Sequence, residues 1–119
     1  MELIMDIDAI QAELRDFAIA RNWGQFHSIK NLVMALSVEA AELTEIYQWL
    51  TTEEGQNAHN DALTREKIAD EIADIFLYLI QIADHSRIDL ENAVVQKIKK
   101  NAIKHPPSAS LALPARLEQ

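Results

Sequence analysis

Two carboxylate pairs constrain this chain more than any other feature. Glu39 and Glu42 stand three residues apart in FHSIKNLVMALSVEAAELTEIYQWL (26–50), and Glu71 and Asp74 repeat the spacing in KIADEIADIFLYLIQIAD (67–84). Both segments carry apolar residues at helical intervals, so each pair rides on a helix with a face to bury. At about 100° per residue, Glu39 falls inside the stripe of Leu32, Leu36, Ala40, Leu43, Tyr47 and Leu50. Glu42 lies at its edge, on the flank of Asn31, Ala35 and Trp49. A carboxylate set among apolar side chains loses solvation and needs a positive partner. Glu39 has no basic residue three or four positions away, whereas Glu71 has Lys67 one turn before it and can form a local ion pair.

The rest of the chain reads as the frame that joins these pairs. With 119 residues, two glycines and three prolines, it is turn-poor and sized for one helical domain, over 1–106, followed by an irregular tail over 107–119. The periodicity predicts four helices. The first runs from about Asp6 to Ala20, capped by Asp6 or Asp8, with Ile7, Ile10, Leu14, Phe17 and Ala18 inward. Arg21–Phe26 is a short connector that carries Trp23, and Ser28 caps the second helix. Thr51–Leu63 is polar, without period, and reads as a surface loop. Thr64 caps a third helix running to about His85, with Ile68, Ile72, Ile75, Phe76, Leu79, Ile82 and Ala83 on its buried face and Glu71, Asp74 and Tyr78 along one flank. Asp89 opens a fourth, with Leu90, Val94, Ile98 and Ala102 inward, ending before His105-Pro106-Pro107. Lys97, Lys99, Lys100 and Lys104 gather toward its C-terminal end, where cations complement the helix dipole.

Composition removes whole classes of function. A formal charge of −8 speaks against binding a nucleic-acid polymer, which needs clustered Lys and Arg. The absence of cysteine excludes disulfides, thiolate catalysis and zinc–cysteine sites. MELIMDIDAIQ has acids where a secretory signal has bases, and the apolar run Ile75–Ile80 is too short to cross a bilayer. The expectation is a soluble cytoplasmic protein with no membrane partner.

Four carboxylates brought together on two helices can share a cation. Without cysteine, such a set suits a hard ion, Mg²⁺ or Mn²⁺, held partly through water and substrate phosphates. A carboxylate-bridged redox bundle would need Glu-x-x-His on two helices. Here the residues three beyond Glu39 and Glu71 are Glu42 and Asp74, so that reading is disfavoured. Asp70 and Glu45 are expected to face solvent, and His59, His85 and His105 receive no role. Trp23 and Trp49, the two tryptophans, are either core or stacking surfaces for a base; His27 and Tyr78 are equally open to a plain structural place.

Glu39-x-x-Glu42, a spacer of 28 residues, then Glu71-x-x-Asp74 resembles the metal-binding signature of the all-α nucleoside triphosphate pyrophosphohydrolases, the MazG-like superfamily. Trp23-Gly-Gln-Phe-His27, Asn31-Leu32, Glu39-Ala-Ala-Glu42-Leu-Thr-Glu45 and Gln48-Trp49 are similar to its dCTP pyrophosphatase branch, as are Glu71-Ile-Ala-Asp74-Ile-Phe-Leu-Tyr78, Asp89-Leu90, Lys97 and Asn101. The resemblance covers about residues 6–106. It departs from the mammalian members at Leu50, where they carry a basic residue, and in the segment Thr51–Leu63.

The resemblance implies that Glu39, Glu42, Glu71 and Asp74 hold Mg²⁺ against a triphosphate. It further implies that Trp23, His27, Trp49 and Tyr78 line the base and sugar pocket, and that Lys97 and Asn101 approach phosphate or the substrate's polar edge. The implied reaction is hydrolysis of a nucleoside triphosphate, dCTP or a modified dCTP, to the monophosphate and pyrophosphate in nucleotide-pool cleansing. The implied architecture is an all-α, four-helix MazG-like bundle assembled through subunit pairing as a homodimer or homotetramer. Two rivals remain: the same chemistry on dUTP or another nucleotide, and a non-catalytic helical assembly that keeps the acids for structural metal binding.

Overall fold

The structure, a computed structural model, describes residues 5–107; most of the expected tail over 107–119 lies outside the described residues. The described chain is all-α: α1 (Ile7–Ala20), α2 (Ile29–Tyr47), α3 (Thr52–Asn57), α4 (Ala62–His85) and α5 (Leu90–Lys104), with single 3₁₀ turns at Gly24–Phe26 and Ala58–Asn60. No strand occurs among the described residues. None of these helices is long and apolar enough to cross a membrane.

Each helix starts where a side-chain oxygen can take up an orphan backbone N–H. Asp6 accepts from Ala9 N at 3.1 Å, Ser28 Oγ from Asn31 N at 3.1 Å, and Asp89 from Asn92 N at 3.0 Å. The cap of α4 is Asp61, not Thr64. Its carboxylate accepts from both the backbone N–H and the hydroxyl of Thr64, at 3.0 and 2.8 Å, so the threonine is a donor to the cap and the helix begins earlier.

The segment expected as a loop after α2 contains α3. Thr51 Oγ accepts from Glu54 N while the Glu54 side chain accepts from Thr51 N, a reciprocal capping box that organises a single polar turn without any apolar period. Gly55 of this turn faces the ring of Tyr47.

Two helices end in the same way. Asn22 and Arg87 take φ of 55° and 56°, just past α1 and α4. Trp23 N then donates to Ala18 O and Ile88 N to Ala83 O, both at 2.9 Å, while Asn22 N and Arg87 N donate to Ile19 O and Asp84 O. These paired bonds are Schellman motifs, which reverse the chain abruptly. The first brings Trp23 back over α1, edge-on to Phe17 with ring centroids 5.5 Å apart.

α2 and α4 pack extensively on each other, and α1 packs on α4. Leu32, Ala18, Ile80 and Ala83 form the buried core, Leu32 and Ile80 at 2% and 0% exposure. Arg15 and Asp84 fasten α1 to α4 through two bonds of 2.7 and 2.8 Å, and Asp84 is held below the usual carboxylate range chiefly by the hydrogen bond from Arg15. α5 scarcely touches the other described helices. Its expected inward residues are not covered by their own chain: Val94 is 50% and Ile98 64% exposed, Ala102 is exposed, and Leu90 is half-buried. On α4, Ile72 and Leu79 are likewise exposed, whereas Ile80, on the Ala83 side, takes the fully buried place. One α2–α4 layer with α1 against it offers too little surface to bury every apolar stripe.

Candidate metal centre and adjoining cavity

α2 and α4 bring three of the four acids to one point. Glu39, Glu42 and Glu71 each place a carboxylate oxygen so that all three lie within 4.8 Å of one another. Glu39 and Glu71 are half-buried and Glu42 is exposed, as expected of acids inside and at the rim of an apolar stripe. One oxygen of Glu39 and one of Glu71 are sealed from solvent and lack any hydrogen-bond partner. The local ion pair open to Lys67 and Glu71 does not form, and Glu71 joins the cluster instead; Arg15–Asp84 is the ion pair among the described residues.

The electrostatics follow from this crowding. Burial pushes the Glu39 carboxyl up, helped by a proton-sharing contact with Glu42 and by the charges of Glu42 and Asp74. The same causes, burial first, then contact with Glu42, then the charges of Glu39, Glu42 and Asp74, push Glu71 up to about 7. Asp74 is not within the 4.8 Å trio but stands close enough for its charge to act on Glu39 and Glu71. Three converging acceptor groups, two with stranded oxygens, fit a hard cation with oxygen ligands.

Beside the cluster opens a cavity of about 350 Å³. α1 contributes Leu14 and Phe17, and the connector after it contributes Trp23 and His27. Glu39 enters from α2, while α4 lines the remaining wall with Asp74, Leu77, Tyr78 and Gln81. Trp23 and His27 have ring centroids 6.1 Å apart. The connector is fixed by Asn31 Nδ2, which donates to Phe26 O at 3.0 Å. Tyr78 sits at the acidic end, where burial and then the charges of Glu39 and Asp74 push its hydroxyl above the ordinary tyrosine range.

On the other side of the cluster lies an open depression of about 490 Å³, lined by Glu42, Glu45, Ile46, Lys67, Asp70 and Glu71. Glu45 and Asp70 are exposed there, as expected. The acids therefore stand at a junction between an aromatic cavity and a polar, solvent-open surface. A further groove of about 480 Å³ between the start of α1 and that of α5 carries Asp6, Asp8, Asp89 and Glu91 with no cationic side chain.

Of the residues singled out in the sequence, Glu39, Asp74, Trp23, His27 and Tyr78 share the cavity, and Glu42 and Glu71 complete the acid cluster. Trp49 does not join them: just beyond α2, it is 86% exposed. Lys97 and Asn101 lie on the exposed surface of α5, outside the cavity lining. Gln81, without a role in the sequence pattern, also lines the cavity: its position seven residues after Asp74 and three after Tyr78 puts it on their flank.

Comparison with known proteins places this arrangement. The family model described as MazG-like matches residues 34–112. dCTP pyrophosphatase 1 of Bos taurus is 38% identical over 101 residues, covering 85% of this chain and 58% of that protein. The Homo sapiens protein of the same name is 38% identical over 103 residues with the same coverage. The chain thus spans 58% of the length of these curated relatives. A crystal structure of a pyrophosphatase from Archaeoglobus fulgidus superposes with a TM-score of 0.79 at 31% identity, covering 90% of this chain and 98% of that one.

Proposed function

The chain belongs to the MazG-like family, and on that premise we propose that it hydrolyses a nucleoside triphosphate, dCTP or a modified dCTP, to the monophosphate and pyrophosphate. The observation that carries the reading is the convergence of Glu39, Glu42 and Glu71 beside an aromatic cavity sized for a nucleoside. The relatives named dCTP pyrophosphatase 1 support the choice of base.

Glu39, Glu42 and Glu71 would hold the ion, and Asp74 would add its charge beside them. Mg²⁺, or Mn²⁺ in its place, would supply the positive charge that phosphate oxygens need and would acidify water. Water attacks the α-phosphorus, the bond from that phosphorus to the bridging oxygen breaks, and pyrophosphate leaves with the electron pair. A carboxylate of the cluster left free of the ion would take the proton lost by water. Trp23 offers its face to the base, with His27 beside it, while Tyr78 stands at the level of the sugar. The depression beyond Glu42 and Glu71 opens the cluster to solvent, with Lys67 as the cation in its lining.

Trp49, Lys97 and Asn101 reach a site only across a contact between copies. The exposed apolar residues of α5 supply the reason for that contact, so the working form is a homodimer or homotetramer in which a second chain brings cations to the phosphates.

The test is a panel of deoxynucleoside triphosphates incubated with and without Mg²⁺, with monophosphate, diphosphate and pyrophosphate resolved. Metal-dependent pyrophosphate release should be greatest from dCTP and fall about 100-fold or more in Glu71→Gln. Greater turnover of dUTP would move the substrate, and release from no nucleotide by the folded protein would leave a metal-binding assembly.

A further inference from the structure

We propose that Gln81 reads the hydrogen-bonding edge of the base and selects a pyrimidine with an exocyclic amino group over one with a carbonyl at that position. The inference rests on nucleotide hydrolysis at this site and adds the residue that sets the base.

The register of α4 sets which residues share the cavity wall. Asp74, Tyr78 and Gln81 line the cavity from one uninterrupted helix. Seven residues span nearly two turns, so Gln81 lies under Asp74 about 10 Å along the axis, with Tyr78 between. That is the scale of a nucleotide from its 5′ phosphate to the far edge of a pyrimidine. A phosphate held at the carboxylates therefore brings the base edge to Gln81.

The amide of Gln81 is incompletely bonded. Oε1 of Gln81 is sealed from solvent and accepts no hydrogen bond. The side chain also borders a recess of about 20 Å³ with Gln11, whose amide oxygen can accept, and with Asp84, whose two oxygens already accept from Arg15. A half-turn about the last torsion exchanges the two ends of an amide without changing its shape. In the turned form the amino group takes the sealed place that Oε1 now holds, within the wall shared with Gln11, and the oxygen is offered to the base.

A cytosine-type edge presents an amino donor beside a ring-nitrogen acceptor. Its amino group satisfies the turned oxygen. A uracil-type edge presents a carbonyl in that place and can be met only by the amide unturned, with Oε1 still buried and partnerless. Leaving a buried acceptor unmade is the costlier outcome, so the amino base wins.

The experiment compares kcat/KM for dCTP, dUTP and a base-free 2-deoxyribose 5-triphosphate in the wild type and in Gln81→Met, which keeps the side-chain volume. The wild type should favour dCTP over dUTP by about tenfold to a hundredfold. The variant should lose that ratio mainly through KM for dCTP, with the base-free substrate unaffected. On the wild type alone, N4,N4-dimethyl-dCTP, which lacks the donor, should behave like dUTP. A ratio retained in the variant, an equal loss on the base-free substrate, or a wild type indifferent to the base would each overturn the assignment. A wild type that cleaves no nucleoside triphosphate fails the hydrolase reading itself, and this inference with it.

Discussion

α4 and α5 obey the same local rules and end in different circumstances. Each begins on an aspartate cap, and each has apolar residues at helical spacing. α4 buries Ile80 and Ala83 against its own chain, while α5 leaves Val94 and Ile98 in the open. An amphipathic pattern thus states which side of a helix wants cover, not what will cover it. The charges divide in the same way. Acids crowd together on the packed helices, and the lysines of α5 stand on the helix that its own chain leaves bare. The two halves complete each other only if α5 meets the α2–α4 layer of another copy, as proposed above.

The largest effect should come from breaking that contact. Ile98→Asp places a charge on the bare apolar face and is expected to weaken self-association by about 30-fold, read by light scattering across a dilution series. Turnover should fall with it, while the circular dichroism of the α1–α4 unit persists. A variant with unchanged mass and activity would show that α5 is simply a solvent-facing helix.

Titration of the packed half gives an intermediate effect. Glu71 sits at about 7 when folded, against an ordinary 4.5, so the folded metal-free protein binds the extra proton. The stabilising contribution is complete below 4.5 and is lost as pH rises through 7. The melting temperature of metal-free protein should therefore fall over that interval, and Glu71→Gln should flatten the slope. Stabilisation by Mg²⁺ should grow in the same direction, because only deprotonated carboxylates bind it. A melting temperature that rises with pH in the absence of metal would mean that the acids do not crowd.

The smallest effect is a control on the packed side. A methyl group added at Gly55 would meet Tyr47 Cδ1 at 3.6 Å, an ordinary contact, and the backbone there is helical. Gly55→Ala is expected to stabilise by about 0.5–1 kcal/mol in chemical denaturation, without altering assembly or turnover.

Much of this was legible in the sequence, because helix periods and caps are local. Asp6, Ser28 and Asp89 lie within a few residues of the N–H groups they satisfy, and Glu39 declared itself by standing in an apolar stripe without a base. α3 was hidden because a single polar turn has no period, although Thr51 and Glu54 already spelled a capping box. Thr64 was mistaken for a cap because Asp61, three residues earlier, uses it as a donor. The exposure of Trp49 and of α5 was beyond the reach of pattern, since one chain's periodicity does not reveal whether a stripe is covered from within or by a second molecule. Gln81 was missed for a different reason. A polar residue among Leu79, Ile80 and Ile82 looks like a solvent-side position until α1 and Trp23 close a wall around it.

The left-handed residue after α1 has a consequence for how this protein can change. Trp23 is aimed by a backbone reversal at Asn22, a residue type that tolerates positive φ, and not by any bond to the carboxylates. A β-branched residue at Asn22 would strain that reversal and shift the tryptophan while leaving Glu39, Glu42 and Glu71 where they are. On the proposed function, the wall offered to a base and the cluster offered to phosphate are mechanically separable. On that reading substrate range drifts through substitutions in a surface turn, with the carboxylate cluster untouched.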